Sequence, residues 1–110
     1  TVEDRDPHKA VDYILLHAEE YAKAKAERTY IEQFRKSLKA ILMQKSNETT
    51  IGAQEREAYA HPEMLTLIKG LRLAVEAEEM FKWKLTAAEI RVDIWRTEQA
   101  NNRQEFKVTV

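Results

Sequence analysis

Histidine and carboxylate pairs are the first place to look for chemistry in this chain. His17 with Glu20 has i,i+3 spacing, and Glu57 with His61 has i,i+4 spacing, so each pair falls on one face of a helix. Di-iron helical bundles need a Glu-x-x-His on each of two helices plus two further glutamates. His17 precedes Glu20, and Glu57 lies one residue too far from His61, so neither pair has that order. The paired acids Glu19-Glu20 and Glu78-Glu79 are the ordinary dress of a solvated helix. The chain has no cysteine, which excludes disulfides, thiolate metal sites and cysteine nucleophiles. It has no glycine-rich phosphate loop and no nucleophile elbow. The expectation is a non-enzymatic protein with no catalytic residues, no metal and no cofactor.

Two other sets of residues could make contacts. Lys23, Lys25, Arg28, Arg35, Lys36, Lys39 and Lys45 outnumber the acids around them, with Tyr21, Tyr30 and Phe34 interleaved. Cations can follow phosphates and aromatics can stack on bases, so this face is the candidate nucleic-acid surface and DNA a candidate partner. The competing reading pairs Glu32 with Arg28, Arg35 and Lys36 along the helix and puts the aromatics in the core. The segment Glu55 to Glu63 gathers charge, an aromatic ring and a histidine at a bend. There Arg56, Tyr59 and His61 form a candidate contact surface, or else Tyr59 caps the core while His61 and Pro62 set the turn.

These residues need long helices to place them. Asp6-Pro7 reads as an N-cap followed by proline in the first helical position. Nothing breaks a helix from there to about residue 45, a length of about 58 Å. Its apolar stripe is read as Val11, Leu15, Ala18, Ala22, Ala26, Tyr30, Phe34, Leu38 and Ile41. The polar run from Lys45 to Thr50 is a loop, Thr50 caps a short helix over about 51–60, and His61-Pro62 bends the chain. A third helix over about 62–100 carries the heptad seam Leu67, Leu71, Ala74, Glu78, Phe81, Leu85, Ala88, Val92, Trp95 and Gln99. Asn101-Asn102 marks its expected end. Residues 101–110 then form a flexible or strand-like tail, because Phe106 to Val110 alternates apolar with polar. The expected fold is all-α, with two long antiparallel amphipathic helices and a short one between them, in a single domain over 1–110.

The third helix also carries a second apolar row of Leu73, Ala77, Met80, Trp83, Ala87, Ile90 and Ile94. One neighbouring helix cannot cover both rows. Large apolar strips are rarely left in water, so this row is the candidate oligomer interface. A homo-oligomer, most simply a two-fold dimer, would complete a helical bundle.

The bulk properties agree with this reading. The chain has 110 residues, of which 44% are hydrophobic and 34% charged, and a net charge of −1. That composition belongs to helical bundles rather than to disorder, and no global field draws the chain to nucleic acid or membrane. No apolar run nears the ~20 residues of a membrane span, and no signal-peptide pattern is seen, so a cytoplasmic location is expected.

Three stretches resemble a known family. They are Tyr21 to Met43 (YAKAKAERTYIEQFRKSLKAILM), Ala53 to Met64 (AQEREAYAHPEM), and Leu71 to Arg103 with its ending IWRTEQANNR. They look like a family of small helical proteins of tailed bacteriophages and prophages, usually labelled hypothetical or coil-containing. The resemblance covers about residues 10–103. Its specific parts are the AQEREAYAHPE segment and the IWR-x-x-x-A-N-N-R ending. Members tend to lie near genes for strand annealing, exonuclease and replication functions. The resemblance therefore implies an accessory role in phage DNA recombination or replication, exerted through a protein partner. Direct binding of single-stranded or duplex DNA and a structural place in the virion are the alternatives. No catalytic residues come with the family.

Overall fold

A computed structural model describes residues 6–109. They form three helices in the order α1 (Pro7–Lys45), α2 (Ile51–Ala60) and α3 (Pro62–Thr109), and no strand is found among them. The fold is all-α, two long helices with a short one between. Among the described residues no helix is long and apolar enough to cross a membrane.

The helix ends from Asp6 to Pro62 have local causes. Asp6 opens α1, its carboxylate accepting the backbone N–H of His8 at 2.9 Å. At the other end the N–H of Ser46 closes on the Met43 carbonyl. Thr50 has extended backbone, and its hydroxyl accepts the N–H of Ala53 at 3.2 Å, which is N-cap geometry for α2. His61 ends one helix and begins the next. Its N–H bonds to the Ala58 carbonyl, and its ring Nδ1 accepts the N–H of Glu63 at 3.1 Å. Pro62 then sits in the first turn of α3, where its missing N–H leaves no gap.

The expected tail is corrected by the structure. Helix α3 continues through Asn101 and Asn102 to Thr109, and Val110 lies outside the described residues. A strand needs a neighbouring strand to accept its backbone bonds, whereas a helix satisfies them within itself. With no strand to pair with among the described residues, the alternation of Phe106 to Thr109 does not decide the backbone.

The chain divides into two compact units. One comprises residues up to Tyr21 together with those from Met80 onward, and the other runs from Ala22 to Glu79. In the second unit α1 and α3 run antiparallel, with Leu38 packed beside Met64 and Leu67 near the loops and Arg28 beside Glu78 further along. Its core is Leu38, Leu42, Ala58 and Met64, flanked by Met43 and Leu67, and α2 contributes through Ala58. In the first unit the small buried residues are Ala10 of α1 and Ala88 of α3, which line one cavity of about 390 Å³ with Tyr13 and Lys84.

Helix α3 packs by the expected seam. Every residue from Leu67 to Gln99 in that series is buried or half-buried, and Met64 extends it by one step. Helix α1 does not pack by the expected stripe, since Val11, Leu15 and Tyr30 are exposed, Leu15 by 71%. Among its sheltered residues, Ala10, Ile14, His17, Tyr21, Ala24, Arg28, Ile31, Leu38 and Leu42 form one row. These also step by three and four, with exposed Arg35 filling the gap between Ile31 and Leu38. The true seam contains a histidine, a tyrosine, two alanines and an arginine, so hydrophobicity favoured the wrong face.

Met64 is fully buried at the centre of the core. Met64→Ala is expected to cost ~2–5 kcal/mol, because it removes the thioether and leaves a void between α1 and α3. Exposed Leu15→Ala should change stability by less than about 0.5 kcal/mol. Chemical denaturation followed by circular dichroism separates the two.

Candidate functional site

The seam of the second unit contains an ion pair. Arg28 donates from Nε to Glu78 Oε2 at 2.6 Å and from Nη2 to Glu78 Oε1 at 3.1 Å, a two-pronged contact. Nη1 donates to Glu32 Oε2 at 2.9 Å. The side chains of Arg28 and Glu78 are 24% and 12% exposed, so the pair is largely withdrawn from water. The bond to Glu78, with the added field of Glu32, holds the guanidinium above its already high ordinary pKa. Arg28 is therefore turned toward protein carboxylates rather than toward an outside ligand.

The other basic residues do not form one surface. Lys23, Lys25 and Lys45 are exposed on α1. Arg35, Lys36 and Lys39 instead line one depression of about 490 Å³ with Ala40 and Met43, and Tyr59 of α2 closes its side. Two sets that were separate in the sequence thus meet, the basic stretch of α1 and the aromatic of the bend. Lys39 bridges to Glu55 at 3.3 Å, and its ammonium lies 4.9 Å from the centre of the Tyr59 ring. Hydrogen bonding to Tyr59, and then to Glu55, raises the Lys39 pKa above its ordinary value. Arg35 and Lys36 form no ion pair with another described residue, so of the cations expected to pair with Glu32 only Arg28 does. Tyr30 and Phe34 are exposed and stack on each other at 6.0 Å, which corrects the expectation that they belong to the core.

The remaining bend residues divide. Arg56 is exposed, whereas His61 is half-buried and serves as the cap between α2 and α3. Glu57 accepts the Ser46 hydroxyl at 2.5 Å, tying α2 to the end of α1, so it is not turned to share a ligand with His61. His17 lies in the first unit, with Nδ1 2.7 Å from Glu20 and its ring 4.2 Å from that of Tyr13. No group of three or more His, Asp or Glu among the described residues is placed to hold a metal ion. The sequence offered no signal for Glu55, Ala40 and Met43 as parts of the basic depression, because only the packing of α2 on α1 brings them there.

The second apolar row is open. Leu73 and the half-buried Ala77 lie in the second unit. The first unit holds Met80, Trp83, Ala87, Ile90 and Ile94, and the four large side chains among them are 52–63% exposed. These five step by three and four. If the packed seam of α3 is labelled a and d, the five fall at c and f, on the opposite side of the helix. Ala87 lines the cavity of the first unit with Ala10 and Tyr13, whereas Met80, Trp83, Ile90 and Ile94 each keep more than half of their surface exposed.

Replacing Glu78 takes the two-pronged partner from a guanidinium largely withdrawn from water and leaves it only Glu32. Glu78→Leu is expected to lower Tm by several degrees. The double variant Arg28→Leu with Glu78→Leu should recover most of that loss, since both seam positions then become apolar. Thermal unfolding of the two variants beside the parent measures the difference; a double variant no better than the single would contradict it. Comparisons of the chain with known proteins found no matching family model, no matching curated protein and no matching solved structure.

Proposed function

We propose that the protein is a non-enzymatic helical interaction module that self-associates through the outer face of α3. We place it as an accessory of phage DNA recombination or replication that acts through a protein partner. The phage setting rests on the resemblance carried by AQEREAYAHPE and IWR-x-x-x-A-N-N-R. Self-association rests on one observation, the heptad row Met80, Trp83, Ala87, Ile90 and Ile94, which is exposed on the side of α3 away from its packed seam.

A heptad row is best filled by another helix with the same repeat, and a second copy of α3 supplies one. Each large side chain is worth ~1.5–3 kcal/mol when fully buried, and about half of that remains to be gained here. Over two copies the gross gain is roughly 6–12 kcal/mol, comparable to the ~4–15 kcal/mol cost of association. The assembly should therefore depend on concentration, and a partner protein could compete for the same face.

Sedimentation equilibrium tests this. The parent should exceed the 12.9 kDa of a single chain. Met80→Glu with Ile94→Glu should return it to that mass while helicity by circular dichroism is retained. A parent that stays at 12.9 kDa at high concentration, or a double variant with unchanged mass, would remove the basis of the proposal.

A further inference from the structure

The depression between α1 and α2 differs from the rest of the basic helix face. Arg35 and Lys36 are exposed and form no ion pair with another described residue, so their charge faces outward. Lys39 is answered by Glu55. Its ammonium also lies over the Tyr59 ring, 4.9 Å from the centroid. Tyr59 nevertheless keeps 51% of its surface exposed. Two outward cations thus stand beside a half-open aromatic ring, in a depression of about 490 Å³ that Met43 and Ala40 also line.

We infer that this depression binds single-stranded nucleic acid, with Arg35 and Lys36 holding a phosphodiester and Tyr59 stacking against an adjacent base. The reasons are chemical. A phosphodiester is the anion that guanidinium and ammonium groups together match along a strand. A tyrosine ring beside those cations gains from a base only when the base is unstacked, which selects single strands over duplex. The net charge of −1 provides no general attraction, so binding must come from this local arrangement. Lys39 and Glu55 are positioning residues, acting through the ring. The site lies wholly in the second unit and uses none of the α3 outer-face residues, so it stands or falls independently of self-association.

Fluorescence anisotropy with a labelled 20-nucleotide oligo(dT), at low and then physiological salt, tests the site on the full chain. The parent should bind, and more weakly as salt rises. Arg35→Glu with Lys36→Glu should weaken binding at least tenfold and make the log–log salt slope shallower by about 1.4, the share of two phosphates on a single strand. Tyr59→Ala should weaken binding about tenfold with little change in slope, while Tyr59→Phe, which keeps the ring, should bind like the parent. Lys23→Glu with Lys25→Glu should leave binding unchanged. Circular dichroism of each variant should show full helicity; should Tyr59→Ala lose it, the Tyr59→Phe and charge-reversal results still decide. No binding at low salt, equal binding by the charge-reversed variant, or equal preference for duplex would each overturn the inference. So would displacement of the oligonucleotide by an equimolar amount of free dTMP or by poly-glutamate, which would reassign the depression to a nucleotide or to an acidic chain.

Discussion

The contact between Arg28 and Glu78 sets the terms for the packing around it. A guanidinium with only 24% of its side chain in water needs a carboxylate, and Glu78, at 12%, is the one placed to meet it. The two-pronged geometry admits few alternatives, so the pair fixes which residue of α1 stands beside which residue of α3 in the second unit. Glu32, one turn along α1, gives the guanidinium a second carboxylate. An apolar seam alone would bind as strongly but would tolerate more registers.

With that register set, the other features of the second unit follow. Leu38 and Leu42 come to face Met64, and α2 is drawn in so that Ala58 closes the core. Closing the core brings Tyr59, the next residue of α2, over the flank of α1 where Lys39 emerges. The basic depression is therefore a by-product of the core: the same short helix that seals Met64 builds the aromatic wall. His61 makes this possible by capping α2 and α3 together, so that α2 turns back without a long loop.

The two proposed surfaces differ in what they ask of the protein. The outer face of α3 in the first unit is apolar and regular, and its affinity would come from burial, with modest dependence on salt. The depression in the second unit is cationic and aromatic, and its affinity would fall as salt rises. An accessory factor that joins a protein assembly to a DNA strand needs both kinds of contact. Keeping them on separate residues lets one be altered without the other.

The sequence alone was enough for the three helices and their breaks, though not for the far end of α3, which runs on through Asn101 and Asn102 to Thr109. Pro7, the Lys45–Thr50 run and His61-Pro62 are strong local signals, and local backbone chemistry acts on them whatever the rest of the chain does. It was also enough for the two faces of α3, because the a/d positions, apart from Glu78 and Gln99, and the c/f positions from Met80 to Ile94 are apolar and keep a strict spacing. It was not enough for α1, whose packed face includes His17, Tyr21, Ala24 and Arg28. Hydropathy ranks those residues below the exposed Leu15 and Leu16, and only the presence of Glu78 on the facing helix makes Arg28 a seam residue. Nor could the sequence divide seven basic residues into one committed to the seam, three gathered around Tyr59 and three left exposed. That division depends on where α2 lies against α1, a matter of contacts between residues far apart in the chain, which tertiary packing alone decides.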